Sequence, residues 1–215
     1  MAQHHIHLSE QNVSPTATER KASCKIKTIL RAVTTALAIF LIFSAGEASA
    51  QALNGVAPTK LKVVKASYNY SLASQGSNTY GPWNMLDGNI ATAWAVNLDN
   101  AQFDSDALYG PYFEFSCRKL SHIIIRNGYA KSASAYINNS RASYIYFETE
   151  FNGENVGFDA QLRDTPDPQR INAPVNAVWN NNIRNLQMIF PCCSFVRGTK
   201  WNDLCITEIE FWGWK

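Results

Sequence analysis

Three side chains that carry oxygen atoms lie within six positions of one short turn, at Asp87, Asn89 and Thr92. Gly88 marks the turn, because glycine reaches positive φ at little steric cost. Such a turn can satisfy its own backbone amides, or its oxygens can bind a hard cation such as calcium. Trp94 follows closely, where a large ring can fix the turn to a hydrophobic core. The residue types therefore predict either a metal-free, hydrogen-bonded turn or a structural calcium site.

No combination of residues supports a catalytic mechanism. A Ser-His-Asp or Cys-His arrangement would have to use His122, which opens an apolar segment and is expected to be structural. Glu148 and Glu150 share one face of a predicted strand, as many solvent-exposed pairs do, whereas Asp164 and Asp167 flank a proline turn. The sequence also has no glycine-rich phosphate loop. We therefore predict that the chain is not an enzyme.

Aromatic and polar side chains instead indicate a binding site. All six tryptophans and all nine tyrosines lie after residue 50. Several of them fall in predicted loops: Tyr80, Trp83, Tyr109, Tyr129, Tyr136 and Trp201. A ring in a loop can stack on the C–H surface of a sugar, while neighbouring Asn, Asp and Arg side chains hydrogen-bond its hydroxyls. The alternative for each ring is packing against the core.

Residues 1–50 have the order of a secretory signal peptide. A basic segment, Lys25–Arg31, precedes an apolar run, Ala32–Phe43, and Ala48-Ser49-Ala50 matches an A-x-A cleavage site. The run is too short to span a bilayer comfortably, which argues against the alternative of an uncleaved anchor. We therefore expect cleavage near Ala50 and a secreted or periplasmic mature protein.

Four of the five cysteines remain after such cleavage: Cys117, Cys192, Cys193 and Cys205. An even number in an exported chain favours two disulfides. Because a bond between neighbours is strained, two pairings are left, each joining one of the adjacent pair to Cys117 and the other to Cys205. A zinc site is disfavoured, because there is no C-x-x-C spacing and His122 is the only histidine after the leader.

The rest of the chain reads as β-strands separated by turns. Residues 51–60 have the composition of a linker, and residues 61–215 form the predicted domain. Alternating or continuous apolar segments predict about eight strands and no helix. These strands are Leu61–Ala66, Tyr112–Cys117, His122–Asn127, Ala142–Phe151, Asn155–Leu162, Gln169–Val175, Ile183–Phe190 and Cys205–Trp212. With Asn152-Gly153 as a hairpin turn, the pattern predicts an all-β sandwich.

Motifs at opposite ends of this domain resemble one family. Asp87–Trp94 reads D-G-N-I-A-T-A-W, and Thr207–Gly213 reads T-E-I-E-F-W-G. Together they resemble discoidin-like domains, also called coagulation factor V/VIII type C domains. The segments Arg126–Ser132 and Tyr136–Arg141 are similar to the subgroup found as the translocation domain of secreted bacterial NAD glycohydrolase toxins. The resemblance runs from about Ala66 to Trp214.

The resemblance implies a discoidin-like jelly roll whose loops at one end of the sandwich bind the ligand. It assigns a glycan-binding surface to Tyr129, Lys131, Asn139 and Arg141, with Trp83 as a further contact. Tyr129 would stack on a sugar face, and the polar side chains would bind hydroxyls or an acidic sugar's carboxylate. The alternative for Arg141 is to fix a loop by paired hydrogen bonds.

The same resemblance implies how calcium would be bound. Oxygens of the turn at Asp87, Asn89 and Thr92 would share one ion with Glu208 of the last strand. Only two of these four side chains are carboxylates, so backbone carbonyls would have to complete the six to eight ligands that calcium takes.

The charge of the sequence limits the classes of partner that we expect. The formal net charge is +2 and the chain has no long basic run, so nucleic-acid binding is not predicted. Membrane binding requires apolar loop tips beside basic residues, and Phe195–Trp201 is the one segment of this kind. We therefore predict a secreted, non-catalytic module that binds glycans or cell-surface glycoconjugates. The alternative is a protein- or membrane-surface adhesion or translocation module without sugar specificity.

Overall fold

The computed structural model describes residues 55–68, 79–151, 154–174 and 183–215. The predicted signal peptide and the Asn152-Gly153 turn lie outside these ranges. Within them are twelve strands: β1 (Thr59–Lys60), β2 (Val63–Ser67), β3 (Trp94–Asn97), β4 (Ala107–Phe115), β5 (Lys119–Asn127), β6 (Arg141–Ala142), β7 (Tyr144–Phe151), β8 (Glu154–Gln161), β9 (Gln169–Asn172), β10 (Ile183–Pro191), β11 (Phe195–Val196) and β12 (Asp203–Trp214).

The strands form two five-stranded antiparallel sheets and one short ribbon. The first sheet has the order β1-β12-β5-β9, and β3 also pairs with β12. The second sheet has the order β2-β4-β10-β7-β8. Strands β6 and β11 pair with each other and form the short ribbon. This architecture confirms the predicted all-β sandwich.

The hydrophobic core lies between the two sheets. Phe211 of β12 contacts Phe113 and Phe115 of β4, with ring centroids 5.1 and 4.7 Å apart. Trp94, the ring that follows the turn, stacks on Phe190 of β10 at 5.9 Å and is fully buried. Burying rings of this size stabilises the fold, and it fixes the end of the turn to the core, as predicted.

Two short helical segments correct the prediction that the domain has no helix. A 3-10 helix, Pro82–Met85, leads into the turn, and an α-helix, α1 (Ala133–Asn138), follows β5. The Ser132 hydroxyl caps α1 by accepting a hydrogen bond from the Ala135 amide. Tertiary packing holds such short helices, because their own hydrogen bonds are too few. No helix in the described ranges is long and apolar enough to cross a membrane.

Strand β1 and the start of β4 occupy segments that the sequence predicts as linker and as loop. Strand β1 falls at the end of the predicted linker, where Thr59 pairs with Gly213 of β12. Strand β4 begins at Ala107, inside a segment from Asn97 to Gly110 that the sequence predicts as an exposed loop. Strand β1 is a two-residue strand at the edge of its sheet, and the first residues of β4 follow an acidic segment, so no extended apolar pattern marks either.

The fold is incompatible with both predicted disulfide pairings. Each pairing joins Cys117 to Cys192 or Cys193, and these residues follow opposite ends of paired strands. Ala107, which begins β4, pairs with Pro191, whereas Cys117 follows the other end of β4. At about 3.3 Å per residue the two ends of β4 are roughly 26 Å apart. A disulfide requires Cα atoms within about 7 Å.

Cys117 and Cys205 are instead buried thiols. Burial raises the pKa of Cys117 to about 12 and raises the pKa of Cys205 as well, with a further contribution from the Asp203 charge. Because the thiolate is the reactive form, both side chains act as small apolar core residues.

Candidate functional site

The turn that carries the predicted metal ligands is held by its own hydrogen bonds. Asp87 Oδ1 accepts from the Asn89 amide at 2.8 Å, and Asn89 Oδ1 accepts from the Ala91 amide at 3.0 Å. The Thr92 hydroxyl donates to Asp87 Oδ2 at 2.8 Å. Gly88 has a φ of 73°, the conformation that favours glycine. The turn therefore satisfies its own amides, which is one of the two predicted alternatives.

Glu208 approaches this turn from β12. Its carboxylate lies close to the backbone amides of Gly88 and Asn89, which favour its charged form, and to the carboxyl group of Asp87, which disfavours it. Its Oε1 atom is buried and has no hydrogen-bond partner in the described part of the chain. Burial, together with the neighbouring charge of Asp87, raises the pKa of Glu208 to about 7. Two adjacent carboxyl groups with a buried, unpartnered oxygen form an arrangement that a cation would stabilise.

The structure thus brings together the four predicted metal-site residues, Asp87, Asn89, Thr92 and Glu208. They fit calcium only if backbone carbonyls contribute. Across the described residues there is no group of three or more His, Cys, Asp and Glu side chains that could hold a metal ion. A hard cation is also bound by carbonyl and hydroxyl oxygens, and this turn contains the Thr92 hydroxyl and its own backbone carbonyls.

Tyr129 supports the same turn. Its hydroxyl donates to the carbonyl of Ala91 at 2.8 Å. With Tyr80, its half-buried ring packs against a small cluster formed by Ala93, Ala95 and Cys205. Burial, with smaller contributions from Tyr80 and Cys205, raises the pKa of the Tyr129 hydroxyl. The ring therefore has a structural contact in addition to its predicted role in stacking.

Asn139 and Arg141 lie inside the domain, with exposed fractions of 6% and 7%. The guanidinium of Arg141 binds both carboxylate oxygens of Asp164, at 2.7 and 3.0 Å. Its Nη1 donates to the carbonyls of Tyr136 and Asn139, both at 3.0 Å. Asn139 Nδ2 donates to the carbonyl of Ala135 within α1. This geometry supports the alternative role of Arg141, which is to fix a loop by paired hydrogen bonds. Asn139 and Arg141 therefore position other residues rather than contact a ligand directly.

Asp164 is the partner of Arg141, and the sequence does not predict this pair because Asp164 lies beside a proline turn. The hydrogen bonds from Arg141 outweigh the effect of burial and, with the bond from the Tyr136 hydroxyl, hold the pKa of Asp164 below its usual value. The Arg141 guanidinium also lies 4.8 Å from the centroid of the Tyr136 ring. The partners are 23 residues apart in sequence, and no local pattern links them.

Lys131 and Trp83 are the predicted glycan contacts that remain exposed. Lys131 lies in the loop before α1. Trp83, in the 3-10 helix, is 52% exposed. It lines a cleft of about 190 Å³ together with Lys60, Lys62 and Glu210. The sequence did not indicate these two lysines, because they lie in or next to the predicted linker.

The cleft combines an apolar floor with fixed charges. Leu61, Ile209 and Phe211 are buried apolar residues that also line it. Lys60 Nζ donates to Glu210 Oε1 at 2.8 Å, and Trp212 Nε1 donates to Glu210 Oε2 at 2.9 Å. Partial burial alone would raise the pKa of Glu210, but these two hydrogen bonds outweigh it and lower the pKa. Glu210 is therefore an ionised hydrogen-bond acceptor at neutral pH.

A second exposed apolar surface lies at the segment predicted as a membrane contact. Ile137 of α1 is 52% exposed and Trp201 is 44% exposed. The amide of Thr199 donates to the carbonyl of Ile137 at 3.1 Å, and the amide of Trp201 donates to the carbonyl of Asn138 at 2.8 Å. Lys200 Nζ lies 4.5 Å from the centroid of the Trp201 ring. The fold thus places an isoleucine from a distant segment beside the predicted loop.

Comparison with known proteins adds a family match. A family model described as "NAD glycohydrolase translocation F5/8 type C domain" matches residues 58–212. This match confirms the resemblance predicted from the sequence, and with it the discoidin-like form of the β-sandwich. No curated protein matches the chain.

Several solved structures are similar to the chain. One is the F5/8 type C domain of a protein from Bacteroides fragilis, at 14% identity over 74% of this chain and 99% of that chain, with a TM-score of 0.45. Another is the family 32 carbohydrate-binding module from C. perfringens NanJ in complex with galactose, at 15% identity over 72% and 98%, with a TM-score of 0.42. A third is the family 32 carbohydrate-binding module from Streptococcus pneumoniae EndoD, at 10% identity over 72% and 99%, with a TM-score of 0.41.

Proposed function

The chain belongs to the family of NAD glycohydrolase translocation F5/8 type C domains, and we propose that it is an exported, non-catalytic module that binds carbohydrate. The observation that carries the proposal is the cleft beside Trp83. There a half-exposed indole ring adjoins two lysines and an ionised carboxylate. An aromatic face with a few fixed polar groups is the combination that binds and orients a small ligand such as a sugar.

Each cleft residue has a separate task in this proposal. The indole of Trp83 stacks on the C–H face of a sugar ring, while Lys60 and Lys62 donate to hydroxyls or to a carboxylate of the ligand. Glu210 accepts a hydrogen bond from a hydroxyl, since its bonds to Lys60 and Trp212 keep it ionised. Lys131 remains a further predicted contact because its side chain is exposed.

Binding without catalysis follows from the composition of this cleft. Glycoside hydrolysis uses two carboxyl groups on opposite sides of the scissile bond. Among the described residues that line the cleft, Glu210 is the one carboxylate. Its lowered pKa also makes it a poor proton donor at neutral pH. The cleft can therefore hold a sugar but has no matched acid and base.

Calcium is the second part of the proposal. Asp87, Asn89, Thr92 and Glu208 would hold the ion, with backbone carbonyls of the turn completing the set. When bound, calcium supplies positive charge that offsets the two adjacent carboxyl groups. The buried, unpartnered Oε1 of Glu208 supports this assignment. The role is structural, because Tyr129 and the 3-10 helix that carries Trp83 both adjoin the same turn.

A glycan array probed with the purified protein tests the carbohydrate proposal. Trp83→Ala should remove most binding to whichever glycans the wild type retains, because the stacking face is lost. Trp201→Ala is the matched control, since it also removes an exposed indole beside a lysine. Both variants should melt close to the wild type. Unchanged glycan binding by Trp83→Ala, or no glycan bound by the wild type, would contradict the proposal.

The exposed surface of Ile137 and Trp201 favours a second candidate function, adhesion to a membrane surface. Two apolar side chains beside Lys200 can enter the headgroup region of a bilayer that contains anionic lipid. Co-sedimentation with phosphatidylserine vesicles separates the two candidates. In that assay the variants exchange roles: Trp201→Ala should lose vesicle binding, and Trp83→Ala should keep it.

A further inference from the structure

The turn between β10 and β11 holds two adjacent cysteines in a fixed backbone. The amide and hydroxyl of Ser194 donate to the carbonyl of Pro191, at 2.9 and 2.6 Å. The Cys192 amide donates to the carbonyl of Asp106 at 2.8 Å, and the Ser143 amide donates to the carbonyl of Ser194 at 2.7 Å. Hydrogen bonds to two other segments therefore fix both ends of the turn.

Within this turn the two sulfur atoms are close together. The Sγ atoms of Cys192 and Cys193 are 3.6 Å apart. Cys193 is exposed and Cys192 is half-buried, so reagents in solution can reach the pair. A disulfide has an S–S distance of about 2.0 Å, so closing the bond requires a movement of roughly 1.6 Å. Cys117 cannot compete for either sulfur, because it follows the other end of β4.

We propose that Cys192 and Cys193 form a reversible disulfide with each other, in place of the two long-range disulfides that the sequence predicts. The oxidant is a small-molecule disulfide such as oxidised glutathione. One cysteine thiolate attacks it, forming a mixed disulfide and releasing one small thiol. The second cysteine thiolate then attacks the protein sulfur of the mixed disulfide and releases another small thiol. The protein loses two electrons and two protons, and the small disulfide is reduced to two thiols.

The location of this bond makes it labile. Strained and exposed disulfides are reduced more readily than buried structural ones. The adjacent strand β11 pairs with β6, with Phe195 opposite Ala142 and Val196 opposite Arg141. The two-stranded ribbon of β6 and β11 therefore connects the cysteine pair to Arg141, which fixes the loop around α1. Its oxidation leaves the buried thiols of Cys117 and Cys205 untouched.

Peptide mass spectrometry tests the proposal directly. Trypsin cleavage after Arg184 and Arg197 yields one peptide that contains Cys192 and Cys193 and no other cysteine. After treatment of the purified protein with oxidised glutathione and alkylation, this peptide should be lighter by two hydrogens and carry no alkyl group. After dithiothreitol treatment it should carry two alkyl groups.

Two variants sharpen the readout. Cys192→Ser should leave Cys193 as a stable mixed disulfide with glutathione, whereas Cys117→Ser should not change the oxidised peptide. The proposal is overturned if the oxidised wild-type peptide carries two alkyl groups or two glutathiones, or if it is cross-linked to a peptide that contains Cys117 or Cys205. The wild-type measurement alone decides between these outcomes, so it does not depend on the variants folding.

Discussion

His122 is a single residue whose environment has a measurable consequence. Its ring stacks on Trp212 with centroids 5.6 Å apart, its Nδ1 lies 3.0 Å from the Ser121 hydroxyl, and it is 4% exposed. Burial, helped by the charge of Arg170 and opposed by that of Glu210, lowers the pKa of His122 from 6.5 to about 4. The unfolded chain therefore binds a proton between these two pH values that the folded chain does not.

The consequence is a pH-dependent stability. A depressed histidine pKa gives stability that is complete above pH 6.5 and is lost as the pH falls towards 4. We expect this group to contribute ~2–3 kcal/mol to the loss of unfolding free energy over that range. Urea titrations at several pH values measure it, and His122→Gln should flatten the profile. Equal pH slopes for the wild type and the variant would contradict the assignment.

The Arg141 network gives a second prediction at the scale of residues. Arg141→Lys should lower the unfolding free energy by ~2–3 kcal/mol, because one ammonium group cannot bind both oxygens of Asp164 and the two loop carbonyls together. Lys131→Ala is the matched control, and it should change stability by less than about 0.5 kcal/mol because its side chain is exposed. Denaturant unfolding measures both. An unchanged stability for Arg141→Lys would contradict the positioning role and favour the ligand contact that the sequence analysis predicts.

At the scale of elements, the turn from Asp87 to Thr92 allows a direct test for calcium. Calcium should raise the melting temperature relative to protein treated with a chelator, because the ion binds the folded chain alone. Glu208→Gln should abolish this shift by removing one of the two carboxylates. Glu210→Gln, two residues along the same strand, should retain it. A midpoint that is the same with calcium and with chelator would support the hydrogen-bonded turn without metal.

The sequence predicted the elements that bury a regular apolar face. Strands β7, β8, β10 and β12 match their predicted segments to within two residues at each end, because apolar side chains recur along them. Helix α1 has only six residues and is stabilised by the Ser132 cap and by packing of Tyr136. It is too short to show a helical pattern of apolar residues in the sequence. The burial of Arg141 and the separation of Cys117 from Cys192 depend on tertiary pairing. Residue spacing carries no signal for either.

At the scale of the whole molecule, the described surfaces are small and separate. The cleft beside Trp83 has a volume of about 190 Å³, so under the proposed function its ligand is one sugar residue rather than a long chain. The surface formed by Ile137 and Trp201 belongs to α1 and to the loop before β12, which are not the elements that line the cleft. The molecule is thus suited to shallow contacts, whose strength depends on how many act together.

This arrangement predicts weak binding that increases with ligand density. A single sugar in solution should bind with a Kd on the order of 0.1–1 mM, because a shallow cleft buries little area and must order the side chains around it. On a surface with closely spaced copies of the same sugar, protein displayed in several linked copies should bind on the order of 100-fold more tightly. Calorimetry measures the first value and surface plasmon resonance at graded ligand density the second. Trp83→Ala should weaken both, whereas Trp201→Ala should leave both unchanged. A micromolar or tighter Kd for one free sugar would show that the ligand occupies a deeper site than this cleft.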